Sequence, residues 1–506
     1  MRVGFEDVLD LDGCNGDSYR FDYVVVGSGA GGSVAARLLA KAGFSVAVLE
    51  EGLLYRTNDV TRKIGEMSSR IYRNGGVFPM LGNPIIALVE GSCVGGTTMG
   101  NGALLFRTPQ WILQKWRSEY GLEGYGASDL VEHFRSIEKE LHASTYGPST
   151  KGNEDSKALL RGAKRLGWDF VYVTRALKGC KNSNQCPAGC PTGAKQSMML
   201  TYLPKAIADG AKLFIGCRAT RIVCDKGRAT HVIAQISKEG RSKKVRFSFK
   251  HLILCGGAIQ TPFLLRKSGM APLAGKNLEF HINLHFVARF EEPINAQDGT
   301  FLTVQVTEFQ NDGLVIMPTN MNGQYLAMDL VKTQKPKVLN DVLGNAGHYG
   351  IYTAMIKAAS KARIASWIGK SPYVFYWLCA SDYEKVKSSI KTACELLFKS
   401  GAESIFLPLA GSKKVSDMAQ IEKVLERLPK KDIGMSCVHI MSSCPMGTDR
   451  KRCVVDNDGR VYGYGNVLIA DASVLPTNIG QSPQETIMAF SHEIIKRHLR
   501  NVRGKA

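Results

Sequence analysis

Residues 179–195, GCKNSNQCPAGCPTGAK, place Cys180, Cys186 and Cys190 in a Cys-x5-Cys-x3-Cys pattern among glycine, proline and asparagine. Three thiols this close serve as metal ligands, as one disulfide with a spare thiol, or as packed side chains of a turn-rich loop. Zinc asks for a fourth nitrogen or sulfur ligand. The loop holds no His or further Cys, so Cys217 or Cys224 would have to supply it from elsewhere. A second constellation points to phosphate. In VGSGAGG, Gly27, Gly29 and Gly32 fit G-x-G-x-x-G. The first glycine permits a tight turn, the second lets backbone approach a pyrophosphate, and the third lets a helix pack on a strand. Unpaired N–H groups at the helix start then face the phosphates. Glu50 falls where a carboxylate accepts hydrogen bonds from adenosine ribose hydroxyls. A further glycine turn, Gly95–Gly96, precedes Thr97, Thr98 and Asn101, as if another loop approached a large ligand.

The elements around these residues suit that chemistry. Tyr23–Val26 is a short apolar, β-branched run of the kind a buried parallel strand shows, 34–42 has helical composition, and SVAVLE reads as a second strand. This βαβ pattern implies a dinucleotide and does not separate NAD from FAD. Segment 252–270 reads as strand, small-residue turn and helix, and the strand in NVLIAD ends at Asp471 before a helix opening near Pro483. Residues 301–330 alternate like sheet, and 383–400 have helical period.

A chain of 506 residues exceeds the usual single core, so two or more domains are expected; 44% hydrophobic and 22% charged residues are those of a globular protein. The first twenty residues are acidic with no apolar export core, and no run approaches the roughly 18 apolar residues of a spanning helix. A cytoplasmic, non-transmembrane protein is the expectation, with peripheral membrane association or export with a partner subunit left open. Thirteen cysteines cannot all pair and are too sparse for a disulfide scaffold. The net charge of +20 is spread out, with modest clusters at RSKKVRFSFK and ERLPKKD. No basic run is interleaved with aromatics, so nucleic acid is not an expected partner.

Taken with the glycine loop, the segments GSCVGGTTMGNGALLFRTPQW, LILCGGAIQTPFLLRKSGM and NVLIADASVLPTNIGQSPQETIMAFSHEIIKRHL resemble the glucose-methanol-choline oxidoreductase family, from about Asp22 to Leu499. The resemblance implies an α/β fold. A discontinuous Rossmann-like FAD-binding domain would come from 18–110, 205–280 and 434–503, and an α+β substrate-binding domain from 111–204 and 281–433. It implies FAD, held by Gly27, Gly29, Gly32, Glu50, Gly95, Gly96, Thr97 and Asn101, with Asp471 and Ala472 near the ribityl chain. Pro483 would open a helix whose positive end favours the anionic reduced flavin. CVHIMSSCPMGTD (437–449) is similar to the family segment H-x-x-G-T-C-x-M-G, with Ser442 and Ser443 in place of Gly and Thr. That match implies His439 as general base, taking the hydroxyl proton of an alcohol or sugar while hydride passes to flavin N5. An imidazole suits the task because its ordinary pKa lies near working pH. Ser482 stands where the family places His or Asn. A serine there weakens the two-residue clamp on the alcohol and leaves lyase- or isomerase-type chemistry open. His492 lies too far into the helix to replace it.

The cysteine loop resembles that of the catalytic subunits of bacterial FAD-dependent glucose and fructose dehydrogenases. This implies a [3Fe–4S] cluster on Cys180, Cys186 and Cys190, one thiolate per iron. Electrons would then leave singly toward an electron-transfer subunit or quinone, and oxygen would be a poor acceptor. Packed thiols or one disulfide remain the other reading, with oxidase activity as its consequence.

Overall fold

The computed structural model describes residues 5, 8–76, 78–147, 152–321, 323–331, 336–365, 371–411 and 414–504. Two sheets organise them. The first has eight strands among the described residues, centred on Ser18–Val26. This strand runs parallel to Val46–Leu49 on one side and to Arg241–Leu254 on the other. Val46–Leu49 is buried throughout, as a parallel strand covered on both faces must be. The helices Ala30–Lys41 and Gln484–Arg503 pack on one another beside it. Val467–Ile469 joins late, pairing in parallel with Leu252–Leu254. The basic cluster RSKKVRFSFK lies in the long strand Arg241–Leu254, which buries Val245 and Phe247 and turns Lys244 and Arg246 away from them. Its charges are therefore those of a strand with one apolar face.

The second sheet is mostly antiparallel and centres on Glu279–Phe290. Tyr349–Lys357 pairs along one edge, while Ala402–Phe406, Met435–Cys437 and Ile440–Met441 share the other. Period-two alternation puts His281, Asn283 and His285 on a single face of the central strand. The expected sheet over 301–330 is realised only as Val304–Val306 and Leu314–Pro318, because Gly323–Leu330 is a helix. The helical period over 383–400 appears as Ala380–Lys399. Strands Phe78–Asn83 and Ile86–Leu88, within the 18–110 segment expected around the cofactor, belong to this second sheet.

Candidate active site

A cavity of about 1290 Å³ runs from the first glycine turn to the central strand of the second sheet. That volume exceeds a typical small-ligand pocket and suits a dinucleotide plus a substrate. At one end the backbone closes tightly. Gly27 has φ of +98°, and a Cβ there would lie 2.3 Å from the Cys255 carbonyl oxygen. Gly29 caps the Ala30–Lys41 helix with no side-chain cap bond, so the first N–H groups are not satisfied by a capping side chain. Gly96 meets Gly29 backbone to backbone; a Cβ on Gly96 would stand 2.9 Å from the Gly29 Cα. The two glycine turns predicted from sequence thus face each other.

Glu50 borders this end. Its Oε2 accepts from Ser28 N–H at 3.0 Å and Ser28 Oγ–H at 2.6 Å, and its Oε1 accepts from Gly52 N–H at 2.8 Å. Burial pushes its carboxyl up, while the Ser28 and Gly52 hydrogen bonds pull it back. Ser28 Oγ also accepts from Gly95 N–H at 3.0 Å, which joins the carboxylate to the second glycine turn. Glu50, Gly96, Thr97, Asn101, Ala472 and Pro483 all border the cavity, whereas Gly32 and Gly95 sit behind its wall. Thr97 Oγ1 accepts from Gly91 N–H at 3.0 Å, and Asn101 Oδ1 accepts from Ala103 N–H at 3.1 Å. Asp471 also borders the cavity, but its carboxylate is engaged within the protein. It accepts from Gly257 N–H, Thr261 Oγ–H, and both the N–H and Oγ–H of Ser473, all within 2.8 Å. The aspartate expected near a ribityl chain thus ties the start of helix Gly257–Lys267 to the end of the Val467–Ile469 strand.

Farther along, His439 enters the cavity from the segment before Ile440–Met441, and Ser482 from the turn before the Gln484–Arg503 helix. Pro483 is the N-cap of that helix. Desolvation pushes the His439 imidazole down to about 4, so it is neutral at ordinary pH. Its Nδ1 lies 3.2 Å from Nδ1 of the fully buried His281, the rings nearly perpendicular at 87°. His281 Nε2 accepts the backbone N–H of Gly480 at 3.2 Å. Beyond this pair, His285 Nδ1 is 2.8 Å from Asp329 and its Nε2 is 3.1 Å from Ser436 Oγ. His281, His285, Asp329 and Ser436 were not singled out from sequence. The one sequence signal for the histidines is the alternation in HINLH, which puts both rings on one strand face. His492 hydrogen-bonds Tyr202 at 3.3 Å and is not among the residues bordering the cavity.

Segments 68–283 and 370–491 match the family described as GMC oxidoreductase, and 25–53 match an NAD(P)-binding Rossmann-like domain. The chain is 32% identical to the uncharacterized GMC-type oxidoreductase y4nJ of Sinorhizobium fredii, with 94% of each chain covered. The chain belongs to the GMC oxidoreductase family. A more distant relative of this GMC oxidoreductase is long-chain-alcohol oxidase FAO3 of Arabidopsis thaliana, 26% identical over 98% of this chain and 70% of that one. Its fold is shared with pyridoxine 4-oxidase of Mesorbium loti, at TM-score 0.73 and 16% identity, covering 95% and 99% of the two chains. As a GMC oxidoreductase the protein is an FAD enzyme, and the cradle fits that cofactor: two facing glycine turns, an uncapped helix start and a carboxylate beside them.

The cysteine loop of this GMC oxidoreductase departs from the sequence expectation. Cys180 Sγ lies 3.4 Å from Thr300 Oγ1, Cys186 Sγ accepts from Arg175 Nη2 at 3.0 Å, and Cys190 Sγ lies 3.4 Å from Thr192 Oγ1. Each thiol has a different partner, and the described residues contain no group of three or more His, Cys, Asp or Glu side chains placed to hold a metal ion. The [3Fe–4S] expectation finds no support in this arrangement: spacing alone did not determine what the sulfur atoms meet. The described cysteines are all free, so the loop holds no disulfide either. Lys195 fastens the loop instead. Its ammonium donates to the carbonyls of Met99 and Cys186 at 2.6 Å and of Asn101 at 3.2 Å. Burial lowers that ammonium to about 8. Protein from an anaerobic, iron-replete preparation is expected to lack stoichiometric iron and acid-labile sulfide. About three irons and four acid-labile sulfides per flavin would restore the cluster. Among the described residues no helix is long and apolar enough to cross a membrane.

Proposed function

We propose that this GMC oxidoreductase oxidises the CH–OH group of an apolar small-molecule alcohol, with His439 as the acid–base residue at the carbinol oxygen. The observation that carries this reading is that His439 opens into a cavity shared with the FAD cradle and walled by Met317, Met355, Leu330 and Phe406. Bound FAD supplies the two-electron acceptor. Around it, the chain's residues bind and orient the substrate. Apolar side chains exclude water from the reacting carbon, which strengthens every polar contact made there. Ser482 offers one hydroxyl, able to donate or accept a single hydrogen bond at the alcohol oxygen. The mixed parallel sheet serves the cofactor and the antiparallel sheet the substrate.

An acceptor other than oxygen rested on the iron cluster. With no metal-holding group among the described residues, oxygen is the acceptor proposed, in keeping with the relative named as an alcohol oxidase. The test is bleaching of the flavin by a panel of alcohols without air, followed by admission of oxygen. Long primary alkanols should bleach it faster than sugars or polyols, and air should restore the colour with one peroxide per cycle. Bleaching by sugars alone would move the substrate class, and slow recolouring in air would make the enzyme a dehydrogenase. Retained FAD with no response to any alcohol would favour non-alcohol chemistry.

A further inference from the structure

Two hydrogen bonds meet on His281, and together they decide where protons sit. A neutral imidazole has one N–H donor and one lone-pair acceptor. The Gly480 backbone N–H can only donate, so His281 Nε2, 3.2 Å away, carries the lone pair. The His281 proton is then on Nδ1. That atom faces Nδ1 of His439 at 3.2 Å, where one nitrogen must donate and the other accept. His281 donates. His439 Nδ1 accepts, and its own proton is left on Nε2.

We infer that His281 is a positioning residue that holds neutral His439 with its proton on Nε2, so that His439 meets the carbinol oxygen first as a hydrogen-bond donor. The opposite arrangement would put His281 Nε2–H against Gly480 N–H, two donors face to face in a site with no exposed surface on His281. Such a buried, unmatched donor is costly. Proton uptake by His439 therefore has a defined prerequisite. Both ring protons must change nitrogen, that of His439 to Nδ1 and that of His281 to Nε2, and the Gly480 bond is lost. Only then is Nε2 of His439 free to accept the hydroxyl proton, leaving His439 as an imidazolium and the pair with three ring protons in place of two. In the resting arrangement the alcohol hydroxyl has to point its proton elsewhere, and Ser482 borders the same cavity.

The naming of the carbinol oxygen rests on the alcohol reading above; the proton arrangement does not. The test is nitrogen NMR of the FAD-loaded protein labelled with 15N-histidine, near neutral pH, with signals assigned by their loss in His281→Leu and His439→Ala. The expected spectrum shows His281 protonated on Nδ1 with Nε2 as the imine, and His439 protonated on Nε2 with Nδ1 as the imine. In His281→Leu the His439 Nδ1 signal should shift toward that of an imine without a hydrogen bond, a change that loss of packing alone would not produce. Should that variant fail to fold, His281→Gln serves for assignment and the parent spectrum decides. A His281 proton on Nε2, or a His439 proton on Nδ1, overturns the inference. The expected spectrum together with a flavin that no alcohol bleaches would leave the proton arrangement standing and remove the alcohol reading.

Discussion

His439→Ala is expected to keep its flavin and to be bleached by an alcohol about 10²- to 10⁴-fold more slowly than the parent protein, the range for losing a placed acid–base group. FAD should stay because the ring takes no part in the glycine cradle; its side chain meets His281. The pH dependence of the parent protein adds a second mark. An imidazole held down to about 4 stays neutral as pH falls through 6.5, where an ordinary histidine would be half protonated. The acid side of the rate profile should therefore remain flat to near pH 5. Parent-like bleaching in the alanine variant would place the acid–base group elsewhere.

Gly27→Ala is expected to abolish FAD binding and to cost on the order of 3 kcal/mol of stability or more. Two effects combine. At φ of +98° an L-residue is strained, and its Cβ would press on the carbonyl of Cys255, 2.3 Å away. That carbonyl is backbone directly after the Arg241–Leu254 strand, so it has no rotamer through which to yield. Gly43→Ala separates the two effects, since φ there is +90° and nothing lies within 4 Å of the added carbon. The control should cost about 1 kcal/mol, the backbone strain alone, with flavin retained. Thermal unfolding and flavin absorbance of both variants read the outcome; equal losses would show that the close approach at Gly27 does not matter.

What was legible in the sequence was local. Gly27, Gly29, Gly32 and Glu50 lie in one βαβ unit, so strand, turn, helix and carboxylate could be placed from spacing alone. Ser482 and Pro483 were placed by their resemblance to the family's segment between the last strand and the last helix. His281 was hidden, since it reaches His439 across 158 positions of sequence, through the pairing of Phe280 with Ile440. His285 and Asp329 meet in the same way, by a strand and a helix that no local pattern joins. Asp471 was expected near a ribityl chain, yet its partners Gly257 and Thr261 come from a distant helix, so the direction of its carboxylate could not be read. The cysteine spacing left the loop's packing unread for a related reason. A turn-rich loop fixes how far apart the thiols lie along the chain, while the buried Arg175 and Lys195 around it decide how the loop is packed.

The strand Val467–Ile469 closes the first sheet against Leu252–Leu254, beside the turn that Gly27 begins. A nascent chain makes Gly27 long before this strand. The two halves of the cradle are therefore separated by the translation of everything between them. Until the late strand arrives, the Arg241–Leu254 strand has an unpaired stretch beside an unfinished binding crevice, open to mispairing. FAD capture thus waits on this strand, and a ribosome stalled before residue 467 would carry a glycine turn unable to retain the cofactor.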